Sequence, residues 1–139
     1  MTYEAQDNAI RTRFSTQYAL GTNHPVAYPN AEFSTKPTDD VWLRFVMQDA
    51  GANQVSMGDP GNNFHRHTGL LTFMIFTPLN QGDAEALQVA DEVAAIFRGW
   101  QDPSSRVFFR QPPFVRRIGA DGKWYQVNLL CPFERDSLF

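Results

Sequence analysis

The sequence is poor in several features that mark specialised classes of protein. It has one cysteine, Cys131, so an internal disulfide is excluded, and the apolar residues around it predict a small buried hydrophobe. Its longest uncharged apolar run, Gly69 to Phe76, is less than half the length of a membrane-spanning helix. Charged residues make up only 19% of the 139 positions, while hydrophobic residues reach 42%. This composition excludes a disordered chain and predicts one domain with a core of its own.

Positive charge is also scarce. The net charge of −3 argues against broad electrostatic capture of nucleic acid. Ten of the twelve basic residues are arginine, and four of them lie within twelve positions: Arg106, Arg110, Arg116 and Arg117. Because arginine is favoured at protein interfaces, this cluster indicates either a protein contact or a solvated strand face.

The beginning of the sequence, Met1 to Glu4, lacks the basic and apolar regions of a signal peptide. Together with the single cysteine, this predicts a protein made and folded in a reducing cytoplasm.

Hydrophobic periodicity predicts two helices. The first covers residues 3–20, with Thr2 as its cap, Gly21 after its end, and an apolar stripe of Tyr3, Ile10, Phe14 and Tyr18. The second covers 84–98, is capped by Asp83 and ends at Gly99. Its core stripe is Leu87, Ala90, Val93, Ala94 and Phe97. Its small residues Ala86, Ala90 and Ala94 are expected to let it approach a sheet closely.

Strands are predicted where β-branched and aromatic residues are concentrated. They cover 41–47, with Val41, Leu43, Phe45 and Met47 on one face, then 65–77, 107–110, 114–118 and 123–133. Pro112-Pro113 indicates a bent or edge strand, and Asp121-Gly122 a tight turn. Residues 22–40 are expected to form an extended connector with at most an edge strand at 26–28, and residues 134–139 a flexible tail.

The stretch 49–63 is rich in glycine and asparagine and is predicted to be a long protruding hairpin loop. The order of elements favours an α+β fold, with a mostly antiparallel sheet and two helices packed on one face.

Catalytic patterns are missing from the sequence. It has neither a phosphate-binding loop nor a nucleophile elbow, and Cys131 has no base near it in sequence. His65 and His67 would share one strand face and could bind a metal with Asp59 or His24, although a polar strand end is the favoured interpretation. We therefore expect no catalytic, cofactor-binding or metal residues, and no cofactor.

Two binding hypotheses stay open. Phe108, Phe109 and Arg110 with Trp124 and Tyr125 could form a stacking platform for single-stranded nucleic acid, but adjacent strand residues point to opposite faces, so at least one phenylalanine belongs to the core. Alternatively, the chain binds proteins. Apolar residues interrupt the 49–63 loop at Val55 and Met57 and follow it directly at Phe64, and Phe114 is flanked by arginines.

Six segments, in order along nearly the whole chain, resemble the tail terminator-like proteins of long-tailed bacteriophages. They are the Tyr3-Glu4-Ala5 helix, Pro25-Val26-Ala27-Tyr28-Pro29-Asn30, Val41-Trp42-Leu43-Arg44-Phe45, Arg66-His67-Thr68-Gly69-Leu70-Leu71 after Met57-Gly58, the helix from Ala90 to Arg98, and Asp121-Gly122-Lys123-Trp124-Tyr125-Gln126-Val127. No single motif is diagnostic, and the ordered set carries the resemblance.

The resemblance implies a structural virion protein, not an enzyme, that forms a homohexameric ring at the head-proximal end of the tail. Such a ring ends polymerisation of the tail tube and presents a docking surface to the head connector. The implied partners are further copies of the chain, the major tail tube protein and a head-completion protein, with DNA passing through the lumen and no membrane.

The family has no catalytic residues to transfer, so the contact residues come from the patterns above. We expect Met57, Phe64 and His65 in a loop contact, and Arg110, Phe114, Arg116 and Arg117 in a strand contact. A head–tail connector or neck protein is the nearest alternative. A single-stranded nucleic-acid binder is the alternative of another class, followed by a small metal-dependent enzyme.

Overall fold

A computed structural model of the chain describes residues 3–18, 20, 24–29, 41–54, 56–58, 63–79 and 82–138. In chain order, the elements are α1 (Tyr3–Tyr18), β1 (Val26–Ala27), β2 (Trp42–Gln54), β3 (Phe64–Pro78), α2 (Ala84–Phe97), β4 (Gln101–Asp102), β5 (Val107–Phe108), β6 (Phe114–Asp121) and β7 (Trp124–Leu138). The α+β fold expected from the sequence is confirmed.

Within these described residues, seven strands form one sheet in the order β1-β2-β3-β7-β5-β4, with β6 also paired to β7. The pairing of β1 with β2 is parallel, and the other described pairs are antiparallel. Strand β3 occupies one side of β7, while β6 and β5 share the other side. The segment containing Pro112 and Pro113 separates those two strands, because proline lacks the N–H that a continuous ladder requires.

Both helices pack on one face of the sheet, which we call the helix face. Alternate residues of the three long strands point into the core there, among them Phe45 on β2, Phe73 on β3 and Leu129 on β7. Phe14 of α1 contacts the Phe73 ring at 4.7 Å between centroids, and Phe97 of α2 lies 5.8 Å from the same ring. The predicted small residues of α2, Ala86, Ala90 and Ala94, are all buried.

The opposite face, which we call the open face, carries a smaller aromatic cluster. Trp42 stacks on Phe76 with 4.2 Å between ring centroids, and Trp124 approaches Trp42 edge-on at 6.1 Å. These residues alternate with those of the helix face, as the two-residue period of a strand requires.

The predicted helices are confirmed, but their capping differs in part. Asp83 occupies the N-cap position of α2 without a side-chain hydrogen bond to the helix, and its backbone oxygen accepts from the N–H of Leu87. Gly99 follows α2 with a φ of 68°, the left-handed conformation that glycine adopts at low cost. The predicted cap Thr2 and end residue Gly21 lie outside the described residues.

Several boundaries predicted from the sequence are wrong. The strand predicted over 107–110 ends at Phe108, and the one predicted over 114–118 continues to Asp121.

Two larger errors concern segments predicted as a loop and a tail. Residues 49–54 belong to β2 and not to a loop, because their backbone pairs with β3 across a bulge between Asp49 and Gly51. Tertiary pairing thus overrides the weak strand propensity of glycine and asparagine. The remainder of the predicted loop lies partly outside the described residues, so a long protruding loop is not established.

Residues 134–138 complete β7 and are not a tail. This segment has β3 on one side and β5 on the other at Glu134 and Arg135. Arg135 and Ser137 are buried on the helix face.

Candidate interaction surface

Strand β6 forms an exposed margin of the sheet. It pairs with β7 along one side, and within the described chain no strand pairs with its other side. Residues Phe114, Val115 and Ile118 are 46%, 38% and 49% exposed. An edge strand with exposed apolar side chains offers both backbone hydrogen bonds and hydrophobic area to a partner.

Two exposed arginines accompany these apolar residues. Arg117 lies opposite Val127 and therefore belongs to the helix face, whereas Arg116 lies opposite Asn128 on the open face. We call residues 114–118 of this strand the β6 patch. Its mixture of arginine, aromatic and aliphatic side chains has the composition of an interface core rather than of an ordinary solvated strand.

Arg110, which the sequence grouped with these arginines, is engaged elsewhere on the open face. Its Nη1 donates to Oε2 of Glu134 at 2.8 Å, and its guanidinium lies 4.5 Å from the centre of the Phe108 ring. The side chain is nevertheless half exposed, and a partner could reach it.

The residues predicted for the loop contact differ in accessibility. Met57 is 87% exposed, which is unusual for a large apolar side chain. His65 is half-buried, and its Nδ1 lies 3.2 Å from the backbone oxygen of Asn63. Phe64 begins β3 but its side chain lies outside the described part, as does Val55.

His65 and His67 share the helix face, as the strand period predicted. Nε2 of His67 lies 2.9 Å from Oγ of Ser137, and the ring of Tyr3 meets it edge-on at 5.8 Å. Burial, together with the nearby charge of Arg135, lowers the pKa of His67. Among the described residues, no three histidine, cysteine or acidic side chains converge as metal ligands would.

The thiol of Cys131 is buried within the core cluster. Burial raises its pKa to about 12, so it is a protonated, inert thiol at neutral pH. The expected role of a small buried hydrophobe agrees with this placement.

The aromatic residues of the nucleic-acid hypothesis do not form one platform. Phe109 is buried against Phe97 and Phe133, whereas Phe108 lies on the open face beneath Arg110. Trp124 packs on the Trp42 cluster. Their rings therefore belong to separate contacts on different faces, while stacking of successive bases needs rings exposed side by side.

Sequence reasoning missed a charged cluster on the open face. Arg66 donates from Nε and Nη2 to the two carboxylate oxygens of Asp136 at 2.9 and 3.3 Å, and its Nε lies 3.6 Å from Oε2 of Glu134. The hydrogen bond to Asp136 raises the pKa of Arg66. A cleft of about 460 Å³ adjoins this pair and is also lined by Arg106 and Phe108. Acidic residues at the alternate positions 134 and 136 could have indicated one face of a strand. Because the segment was predicted to be a tail, no strand pairing was expected for them.

A buried polar pair was missed for the same reason. Arg135 is 2% exposed and donates from Nε to Oε1 of Gln6 at 2.8 Å. The guanidinium also lies 4.9 Å from the centre of the Tyr3 ring. Gln6 fills a gap in the apolar stripe of α1 between Tyr3 and Ile10, which could have indicated a buried polar position.

No described helix is both long and apolar enough to cross a lipid bilayer.

A family model described as phage tail terminator protein matches residues 7–132. One solved structure superimposes with a TM-score of 0.76 at 24% identity, covering 97% of this chain and 96% of the other. At that identity the likeness shows the fold alone, and no curated protein matches the sequence.

Proposed function

This chain belongs to the phage tail terminator family, and from that premise we propose that it caps the tail tube as a homohexameric ring. The family is one of structural proteins of the phage tail, not a class of enzymes, so the chain has a structural role in the tail of the virion. The finer proposal is that the ring ends tube polymerisation and then offers a docking surface to the head connector.

The observation that carries this proposal is the β6 patch. A filament stops growing when its terminal subunits are covered by a molecule that matches the tip on one side and offers no further template on the other. A ring of such molecules needs a subunit with complementary surfaces at two margins, so that head-to-tail contacts close. Exposed Phe114, Val115 and Ile118 on an open edge supply one such surface.

The exposed Met57, between β2 and β3, supports a second contact. Methionine adapts its shape to irregular apolar surfaces at low cost, which suits a contact with a partner such as the major tail tube protein. In this proposal, Met57, Phe64 and His65 contact a tail partner, while Arg110, Phe114, Arg116 and Arg117 contact another subunit or the tube.

Tube length tests the proposal directly. Purified chain is added at increasing ratios to polymerising tail tube subunits of the same phage, and lengths are measured by electron microscopy. We expect the mean tube length to fall as the ratio of chain to tube subunits rises. Each terminated end should carry extra density that corresponds to one ring. Tubes of unlimited length at a stoichiometric ratio would refute capping.

A connector binding assay distinguishes capping of the tube from the alternative of a head–tail connector or neck protein. A capping protein binds the tube end in the absence of head components, whereas a neck protein binds the head connector and leaves tube length unchanged.

A further inference from the structure

The sheet has a second open margin, on the side opposite β6. Strand β1 covers β2 only at Leu43 and Arg44. From Val46 to Gln54, no strand of the described chain pairs with the outer side of β2, and residues 48–54 are exposed. We call this stretch the β2 edge.

The two margins run in opposite directions. Strands β2, β3, β7 and β6 are successive antiparallel neighbours, so β6 is antiparallel to β2 within one subunit. When copies follow one another in the same orientation, β6 of one copy therefore meets β2 of the next as an antiparallel neighbour. This is the pairing that a sheet adds most readily, and it joins two different surfaces, as a closed ring requires.

We infer that, in the ring of the proposed function, β6 of each subunit pairs antiparallel with the β2 edge of the next copy and makes one continuous sheet. The register assigned is Arg117 opposite Asp49 and, because the β2 bulge between Asp49 and Gly51 adds one residue, Val115 opposite Ala52. This inference rests on the proposed function for the ring itself. It adds which strands pair at the boundary between two subunits, which we call the seam.

Matching of faces supports this register. Asp49 lies opposite Gly69 and Ala52 opposite His67, both on the helix face of β3, and Arg117 and Val115 lie on the same face of β6. Asp49 is the single acidic residue of β2 and is exposed, and its Oδ1 accepts a long hydrogen bond of 3.4 Å from Nε2 of Gln6. An arginine set beside it fixes the register by charge, while Val115 packs on a small side chain.

This register gives a strand tilt that suits a closed sheet. Asp49 pairs with Gly69 on β3, which in turn pairs with Phe133 on β7. Arg117 on β6 pairs with Val127, which precedes Phe133 by six residues on the same strand. An offset of six residues for every four strands corresponds to a strand tilt of about 46°, close to the range of about 35–45° in natural barrels. If the sheet did not close, the β2 edge of one terminal copy and β6 of the other would stay unpaired.

Disulfide trapping tests the seam. Val115→Cys and Ala52→Cys proteins are mixed in equal amounts and oxidised at pH 8, where the buried thiol of Cys131 is inert because its pKa is about 12. Paired residues on neighbouring strands bring their Cβ atoms within disulfide distance. We expect at least ten-fold more mixed dimer than from Val115→Cys with Asn53→Cys, because Asn53 lies opposite Arg66 on the open face.

Two results would overturn the seam: equal yields from the two mixtures, or a predominance of Val115→Cys dimers, which would mean that β6 pairs with itself.

A charge exchange provides an independent measurement. Arg117→Asp and Asp49→Arg should each reduce the ring fraction several-fold in native mass spectrometry, and the double variant should restore it. No restoration would contradict the register.

The wild-type chain separates this failure from a failure of the proposed function. If wild-type protein forms rings and shortens tubes but gives no mixed dimer, only the seam is wrong. If it forms no ring at all, in solution or on the tube, the proposed function fails with it.

Discussion

Arg135, near the end of β7, donates from Nε to Oε1 of Gln6 in α1 at 2.8 Å, and both side chains are almost wholly buried. The bond joins two segments 129 positions apart in the sequence. It holds the first half of α1 against the last part of the sheet.

Replacing Gln6 by alanine should therefore destabilise the fold. The change removes an acceptor from a buried charged donor, and such hydrogen bonds contribute about 1.5–3 kcal/mol. We expect the free energy of unfolding to fall by about 2 kcal/mol in urea titration. Asn8→Ala, an exposed position on the same helix, should change it by less than about 0.5 kcal/mol and is the matched control. Equal effects of the two substitutions would contradict a structural role for the pair.

Gly69 lies directly beneath the ring of Phe133. A Cβ at position 69 would be 2.4 Å from Cζ of that ring and 2.9 Å from the backbone oxygen of Gln48. Gly69→Ala should lower the free energy of unfolding by about 1–3 kcal/mol, because a packed core resists an added methyl group.

The cause can be checked with a double variant. Phe133→Leu removes the ring atoms that meet the new Cβ, so Gly69→Ala should cost less in that background than in the wild type. An identical cost in both backgrounds would assign the effect to the backbone near Gln48 instead.

The partly buried position of His67 predicts a pH dependence of stability. Its pKa is lowered in the folded state, chiefly by burial, so the unfolded chain binds a proton more readily. The stabilisation that neutral His67 provides is complete above the unfolded value of about 6.5 and is lost as the pH falls through the lower folded value. His67→Gln should show a shallower loss of stability between pH 7 and pH 5. Parallel curves for the two proteins would show that other groups cause the acid sensitivity.

Charge reversal on the β6 patch should separate assembly from folding. Arg116 and Arg117 are exposed, so Arg116→Glu with Arg117→Glu should leave the Tm nearly unchanged and abolish ring formation and tube capping. Arg98→Glu, at an exposed position after α2, tests whether any reversed charge has this effect. A collapse of the Tm in the double variant would make these arginines structural and remove them from the interface.

Most of the fold was determined by the sequence alone. The periodicity of Ile10, Phe14 and Tyr18 defined α1, the stripe from Ala90 to Phe97 defined α2, and alternation defined the central strands. These patterns are local, because one face of each element must leave water. The break at Pro112-Pro113 was equally legible, since proline cannot donate to a ladder.

What the sequence could not determine depended on partners far away in the chain. Residues 49–54 and 134–138 have compositions typical of loops and tails, and they are strands because β3 offers its backbone to both. The burial of Arg135, the ion pair of Arg66 with Asp136 and the two open margins all follow from strand order and register. Order and register are set by the summed packing of the whole core, and no local pattern of residues encodes that sum.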